Sequence, residues 1–333
     1  MTSTELACET VAVTELQAIQ NDWKRLYEET SGARPFSLPI WYSTWLAHFP
    51  APGAVFLELR RDHQLVGIIP LLVKNETAAG LGNLKIQDYS GNLMAPGDEV
   101  GVAQSTLGWL VHNNVSSLTL WGQPEGSPEI DAWSSAAASA GWALQLEDEA
   151  VAPVAALPSD WESFVAVLPK KDRHELRRKL RNLEAAGAIE LESVSDMEDV
   201  DRAMDTLLGM MRESHEGKTR FLTVEMEAFF REMAPAMAQA GLGRIWQLRL
   251  DGKPIAVLLG FEDKTTRYLY NSGYDPAHGR LAVGLLSKAL ALRGAIEAGL
   301  RSFDFLRGEE DYKRRLGGVA RNIKRLTLTR ESD

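Results

Sequence analysis

The chain has 333 residues, enough for two domains of ordinary size, and its 45% hydrophobic and 25% charged content is that of a soluble globular protein. Cys8 is the only cysteine, which excludes an intrachain disulfide or a cysteine-built metal site. The net charge of −10 argues against general nucleic-acid binding. That charge is uneven, however. Residues 170–181 (KKDRHELRRKLR) carry seven Lys/Arg against two acids, and residues 301–330 carry nine against four. The first residues, MTSTELACETVAV, lack a basic n-region and a long apolar core, and no apolar run reaches bilayer-spanning length, so a cytoplasmic chain without a membrane span is expected.

In chain order, residues 14–30 read as an amphipathic helix with Leu16, Ile19, Trp23 and Leu26 on one face. Pro35, Phe36 and Pro39 lead into a second, aromatic-rich helix, IWYSTWLAHF. AVFLELRRDHQLVGIIPLLVK predicts a hairpin about the charged turn Arg61–Gln64, and LKIQDYSGNLMAP a strand and loop. Residues 100–113 predict a helix, VSSLTLWG a strand, and EIDAWSSAAASAG a helix ending at Gly141; the chain then runs extended towards Pro158.

KKDRHELRRKLRNLEAAG predicts a helix from Pro169 to Gly187, with Leu176, Leu180 and Leu183 as a narrow apolar stripe. It is either a solvated helix face or a basic arm beside a substrate site. Two more helices follow, joined by the polar loop Ser214–Arg220, with methionines filling their core faces. RIWQLRLDGKPIAVLLGFE then repeats the first hairpin: Leu59, Asp62, Val66 and Gly67 correspond to Leu248, Asp251, Ile255 and Ala256. The nine-residue spacing of Phe36 and Trp45 recurs in Phe221 and Phe230. Matched landmarks in the same order predict an internal duplication, although hairpins with Asp in the turn are common. The expected division is 1–155 and 156–333, the second half including the basic helix 170–186.

The richest stretch is Thr266–Leu316. TRYLYNSGY is a strand that Asp275-Pro276 ends; LAVGLLSKALALRGAIEAG is a helix with a C-terminal Gly299; SFDFL is a second strand. Strand–loop–helix units are common as plain packing, but a glycine-containing loop at a helix N-terminus also presents free N–H groups to an anion. Backbone groups around Gly279, Arg280, Leu281, Val283, Gly284 and Leu285 can serve a pyrophosphate, with Arg280 adding charge. The edge of the preceding strand, at Ser272 and Tyr274, can receive amide groups as a sheet receives a peptide. The six histidines show no paired ligand spacing, and neither a GxSxG elbow nor a Walker sequence occurs, so no metal site, serine hydrolase or P-loop kinase is expected.

The wording YNSGYDPAHGRLAVGLLSKALALRGAIEAGLRSFDFLRGEEDYKRRLGG, and DFLRGEEDYKRRLG above all, resembles the last part of the CelD-type (cellulose-biosynthesis-associated) acetyltransferase family. That family belongs to the GNAT superfamily of acyl-CoA acyltransferases and is related to the Fem-type aminoacyltransferases. The resemblance implies a mixed α/β fold (α+β mixed sheets) of tandem GNAT-like units, the first one degenerate. It implies an acetyl-CoA or other acyl-CoA co-substrate, no metal, and a small-molecule amine or amino-sugar acceptor. Asp304 and Arg307 fall where the family places polar residues facing the cleft. Tyr312 can protonate a departing thiolate, and Glu309, Glu310 or His215 can act as base. One departure is the sparse glycine content of the phosphate loop, where only Gly279 and Gly284 flank Arg280–Val283. Two other readings remain: a Fem-type aminoacyltransferase using aminoacyl-tRNA, with the basic helix as its arm, and a non-catalytic GNAT-like ligand-binding module.

Overall fold

In a computed structural model of the chain, residues 6–30, 32–194, 197–214 and 216–331 are described. They divide into two compact units, one running to Ala150 and taking up the chain again from Asn322, the other Val151–Arg321.

The first unit contains β1 (Ala7–Val11), α1 (Gln20–Glu29), α2 (Pro39–His48), β2 (Ala54–Arg61), β3 (Gln64–Lys74), β4 (Thr77–Gly80), β5 (Leu93–Met94), α3 (Glu99–His112), β6 (Ser117–Pro124), α4 (Pro128–Ala140) and β7 (Ala143–Val151). The second contains β8 (Val154–Ala156), α5 (Trp161–Val167), α6 (Lys170–Glu184), β9 (Ile189–Val194), α7 (Met197–Ser214), α8 (Glu216–Phe221), α9 (Val224–Gln239), β10 (Gly243–Leu250), β11 (Lys253–Glu262), β12 (Thr266–Tyr274), α10 (Val283–Glu297), β13 (Ser302–Asp304) and α11 (Asp311–Arg315). The last strand, β14 (Asn322–Thr329), returns to the first unit.

Both sheets are mixed. The first has the order β1-β2-β3-β4-β6-β14-β7, with β5 on β3, and the second β9-β10-β11-β12-β13-β8. Among the described strands, β4–β6 and β12–β13 pair parallel, whereas β1–β2, β2–β3, β3–β4, β3–β5, β6–β14, β8–β13, β9–β10, β10–β11 and β11–β12 pair antiparallel. Each sheet buries apolar residues under helices: Leu57, Leu59, Ile69 and Leu118 against α3 and α4 in the first, Leu248, Leu258 and Phe303 against α10 in the second.

Three expectations need correction. The units are not the contiguous halves 1–155 and 156–333, because β14 pairs antiparallel with β6. NIKRLTLT alternates as a half-buried strand should, but nothing local names its partner. The segment LKIQDYSGNLMAP forms no strand beyond the two residues of β5. The loop expected at Ser214–Arg220 is largely helix α8; His215 lies outside the described residues.

The two hairpins repeat in detail. Asp62-His63 and Asp251-Gly252 all have positive φ, as a two-residue turn of right-handed twist demands. Each hairpin has a register shift at the equivalent step, Leu59/Arg60 and Leu248/Arg249. At that bulge Arg60 donates to the His63 carbonyl and Glu58, while Arg249 donates to the Gly252 carbonyl and Gln247. The shared arginine, tying bulge to turn, is a second signature of the repeat.

Candidate active site

In the second unit, β12 and β13 pair only at Thr266–Ser302, Arg267–Phe303 and Tyr268–Asp304. The ladder with β13 ends at Tyr268, while the β11 ladder runs as far as Tyr274; the Ser272 N–H is taken by Asn271 Oδ1 at 2.9 Å. A bulge follows Tyr268 directly. Leu259 pairs with Asn271 and Gly260 with Leu269, which leaves Tyr270 as the extra residue. Gly260 is required there, since a Cβ would lie 2.2 Å from the Tyr268 carbonyl oxygen. The Tyr270 ring anchors the bulge on Phe261, with centroids 5.1 Å apart.

From there β12 leads to the start of α10. Asp275 caps the 3-10 turn Pro276–Leu281, accepting from the Ala277 N–H at 2.8 Å and contacting His278 Nδ1 at 3.1 Å. Ala282 then adopts the left-handed conformation (φ 56°, ψ 35°) and α10 begins. The N–H groups of Val283 and Gly284 stand in the first turn, where a helix offers them no carbonyl, and that turn carries no acid. Arg280 is exposed beside it. Gly284 lets the Tyr274 ring lie against the helix start; a Cβ would meet it at 3.1 Å. Val283 is fully buried, so only its backbone can serve a ligand. The glycine-poor loop is therefore closed by Ala282, in a conformation that costs an L-residue about 1–2 kcal/mol. Ala282→Gly should raise the melting point by about 2–4 °C, an expectation from relief of about 1 kcal/mol that calorimetry can check.

The turn after β13 brings in the remaining candidates. Asp304 is buried and accepts the Leu306 N–H at 2.7 Å, which holds Leu306 in its left-handed conformation (φ 57°). Lys313, 2% exposed, donates to the carbonyls of Leu306 (3.0 Å) and Arg307 (2.7 Å) and pairs with Glu310 at 2.9 Å. Glu310 is paired with Lys313 yet stays 57% exposed, and Glu309 stands exposed. The Tyr312 ring packs edge-on against Phe305, and the Lys288 ammonium lies 5.0 Å above it. Among the described residues the Tyr312 hydroxyl has no hydrogen-bond partner. Burial, and then the Glu310 charge, push its pKa well above the ordinary phenol value, so it keeps its proton at neutral pH.

Lys288 joins the two halves of this site. Its ammonium also bonds the Gly284 carbonyl at 2.6 Å, so it spans from the first turn of α10 to Tyr312. A buried cation in the first turns of a helix opposes the dipole, which marks it as more than packing. Neither Lys288 nor Lys313 is evident from sequence spacing. The only signal for Lys288 is a lone charge in the first turns of an otherwise apolar helix. Ser272 and Tyr274 sit at the far end of β12, beyond its ladder with β13.

The basic helix α6 buries Leu176 and Leu183 in the core of the second unit. Its acids bind α11: Arg315 reaches Asp172 (3.4 Å) and Glu175 (2.7 Å). Hydrogen bonds from Lys179 and Arg315 lower the Glu175 pKa to about 2. Lys170, Lys171, Arg177, Arg178 and Arg181 remain exposed.

The equivalent place in the first unit is closed. β4 and β6 pair over three residues and then part, but Ser90 N–H donates to the Gly122 carbonyl and Trp121 Nε1 to the Gly80 carbonyl across the opening. Helix α3 starts with Asp98 and Glu99, and Glu99 accepts the Gly97 N–H at 2.7 Å. Asp98 makes no capping bond and is paired with Arg61 at 2.6 Å, so this helix start carries two acids and a cation where α10 carries no acid.

Residues 170–314, from the start of the basic helix to α11, match the domain model described as "Acetyltransferase (GNAT) domain". No curated protein matches the chain. Among solved structures, FemX is similar at 10% identity, covering 96% of each chain with a TM-score of 0.66. A conserved protein of unknown function from Bacteroides thetaiotaomicron is similar at 11% identity, covering 98% of this chain and 100% of that one (TM-score 0.64). The C-terminal domain of a chain from Agrobacterium fabrum, named as a lysylphosphatidylglycerol synthetase, is similar at 10% identity, covering 96% and 92% (TM-score 0.61). At these identities the likeness is one of fold. The domain match falls within the second unit, and both units are built on mixed sheets. Among the described residues, no group of side chains is arranged to hold a metal ion, and no helix is long and apolar enough to cross a membrane.

Proposed function

We propose that the second unit moves an acyl group, acetyl first of all, from acyl-CoA to an amine, in the manner of the CelD-type acetyltransferases. The observation that carries this reading is the contrast between the two helix starts. The α10 start is free of acids, flanked by Arg280 and opened by the β12 bulge, whereas the α3 start carries Asp98, paired with Arg61, and Glu99. The CoA pyrophosphate would take the N–H groups of Val283 and Gly284, and the pantetheine amides the edge of β12 beyond its ladder with β13. The amine nitrogen forms a C–N bond to the thioester carbon and the C–S bond breaks. Tyr312 gives its proton to the departing thiolate, the amine loses its own proton to solvent, and solvent returns a proton to Tyr312 before the next turnover. Asp304 and Arg307 shape the turn on which Tyr312 is presented.

A Fem-type reading, with aminoacyl-tRNA as donor, is favoured by the FemX likeness and by the exposed cations of α6. Melting curves with acetyl-CoA, CoA and tRNA separate the readings, because a ligand that binds only the folded state raises its melting point. A rise with CoA that weakens about tenfold in affinity for Arg280→Gln is the expected result. A rise with tRNA alone would transfer the proposal to the second reading. Silence to both would leave a ligand-binding module without this chemistry.

A further inference from the structure

Helix α10 buries a mostly apolar face, with Leu286, Ala289, Leu292 and Ile296 in it, and within that face one charge, Lys288. A leucine or methionine would pack there without the desolvation that a buried ammonium costs. The lysine side chain folds back towards the helix N-terminus, as helical side chains do, and its ammonium reaches the Gly284 carbonyl at 2.6 Å. That carbonyl lies four residues back and already belongs to the helix ladder, so it does not require a second donor. The charge therefore stands at the positive end of the helix dipole, where it destabilises the protein. A negative charge forming beside it would offset that cost.

The Tyr312 ring, whose centroid is 5.0 Å from this ammonium, says where such a charge would form. An ordinary phenol is already a weaker acid than a thiol, and burial weakens Tyr312 further. Its proton therefore passes to a thiolate uphill, and the hydroxyl alone does not make the sulfur leave. A cation about 5 Å away lowers the energy of either anion, thiolate or phenolate, in a poorly solvated site. Charged groups on the neighbouring elements are paired with one another: Glu310 with Lys313, Glu262 with Arg267, and Glu175 with Arg315. We propose that Lys288 is a positioning residue for the departure of CoA, holding the Tyr312 ring by its face and stabilising the negative charge shared by the leaving sulfur and the phenolic oxygen. The inference rests on the acyl-transfer reading and adds to it the group that favours C–S cleavage. The electron pair of that bond goes to sulfur, the Tyr312 proton follows it, and solvent reprotonates the phenolate.

The test needs CoA and no acceptor. CoA is titrated by calorimetry into the full chain, Lys288→Met and Lys288→Arg. Ionisation of the bound CoA thiol is then followed by its thiolate absorbance, against the same protein holding desulfo-CoA. Methionine keeps most of the volume and removes the charge, whereas arginine keeps the charge. CoA should bind all three proteins within about threefold. On Lys288→Met the bound thiol should ionise about one pH unit higher than on the parent, and Lys288→Arg should restore the lower midpoint. The melting point of Lys288→Met should stay level or rise, because a charge opposing the helix dipole is gone. A midpoint that does not move with CoA bound overturns this inference alone, as does an arginine variant that behaves like the methionine one. A melting point lower by more than about 5 °C would assign Lys288 to holding the fold and overturn it too. A parent protein that binds no CoA overturns the acyl-CoA reading itself, and this inference with it.

Discussion

Tyr312→Phe lowers kcat by about 10²–10⁴-fold, the usual effect of losing a general acid, and leaves CoA affinity close to that of the parent protein. The separation follows from where the hydroxyl acts. The ring keeps its edge-on contact with Phe305 and its place beneath Lys288, so the fold around it is unchanged. What is lost is the hydroxyl that would donate to the departing thiolate; burial keeps it protonated and at the same time makes it a weaker acid. The measurement is a pair, steady-state turnover with acetyl-CoA and direct CoA titration of both proteins. Normal turnover by the variant would assign Tyr312 to packing. Parallel loss of turnover and of binding would point to a disturbed structure rather than a missing acid.

The second large effect is one of stability. Lys313→Met removes an ammonium that is 2% exposed and holds two carbonyls of the turn carrying Arg307 and Gly308. Methionine fills much of the same volume, so the change isolates the hydrogen bonds. Two buried carbonyls without donors cost about 2–4 kcal/mol together. The Glu310 contact adds little, since that carboxylate is 57% exposed and screened by water. For a unit of this size the melting point should fall by roughly 5–15 °C in calorimetry. A change within about 0.5 kcal/mol, the range of ordinary surface substitutions, would mean that the turn is held by other contacts. Turnover should fall too, because the same turn delivers Tyr312, and the loss should exceed the unfolded fraction.

Much of this was legible from local pattern. Period-two alternation and the Asp turns marked both hairpins, and their likeness marked the repeat, because a hairpin is a short-range object whose register its own turn sets. Asp275-Pro276, the helix from Val283 and Gly299 beyond its end were readable for the same reason. The resemblance carried by DFLRGEEDYKRRLG pointed to the second unit, where the domain match also falls. Local pattern did less well where a residue has two local uses: the polar residues after Ser214 read as loop but form much of α8.

The sequence by itself determined which segments are strands and helices, where they turn, and that one hairpin is written twice. Only the tertiary structure decided which sheet receives β14, since an alternating strand fits any open edge of suitable register. It also decided which of two similar helix starts is open to an anion. Asp98, paired with Arg61, and Glu99 stand at one, while the other carries no acid and lies beside the bulge at Gly260, an arrangement that depends on strands brought together by the fold. The burial of Lys288 and Lys313 was decided in the same way: a lysine is a surface residue by composition, and only the fold buries these two ammonium groups against carbonyls four to seven residues back in the chain.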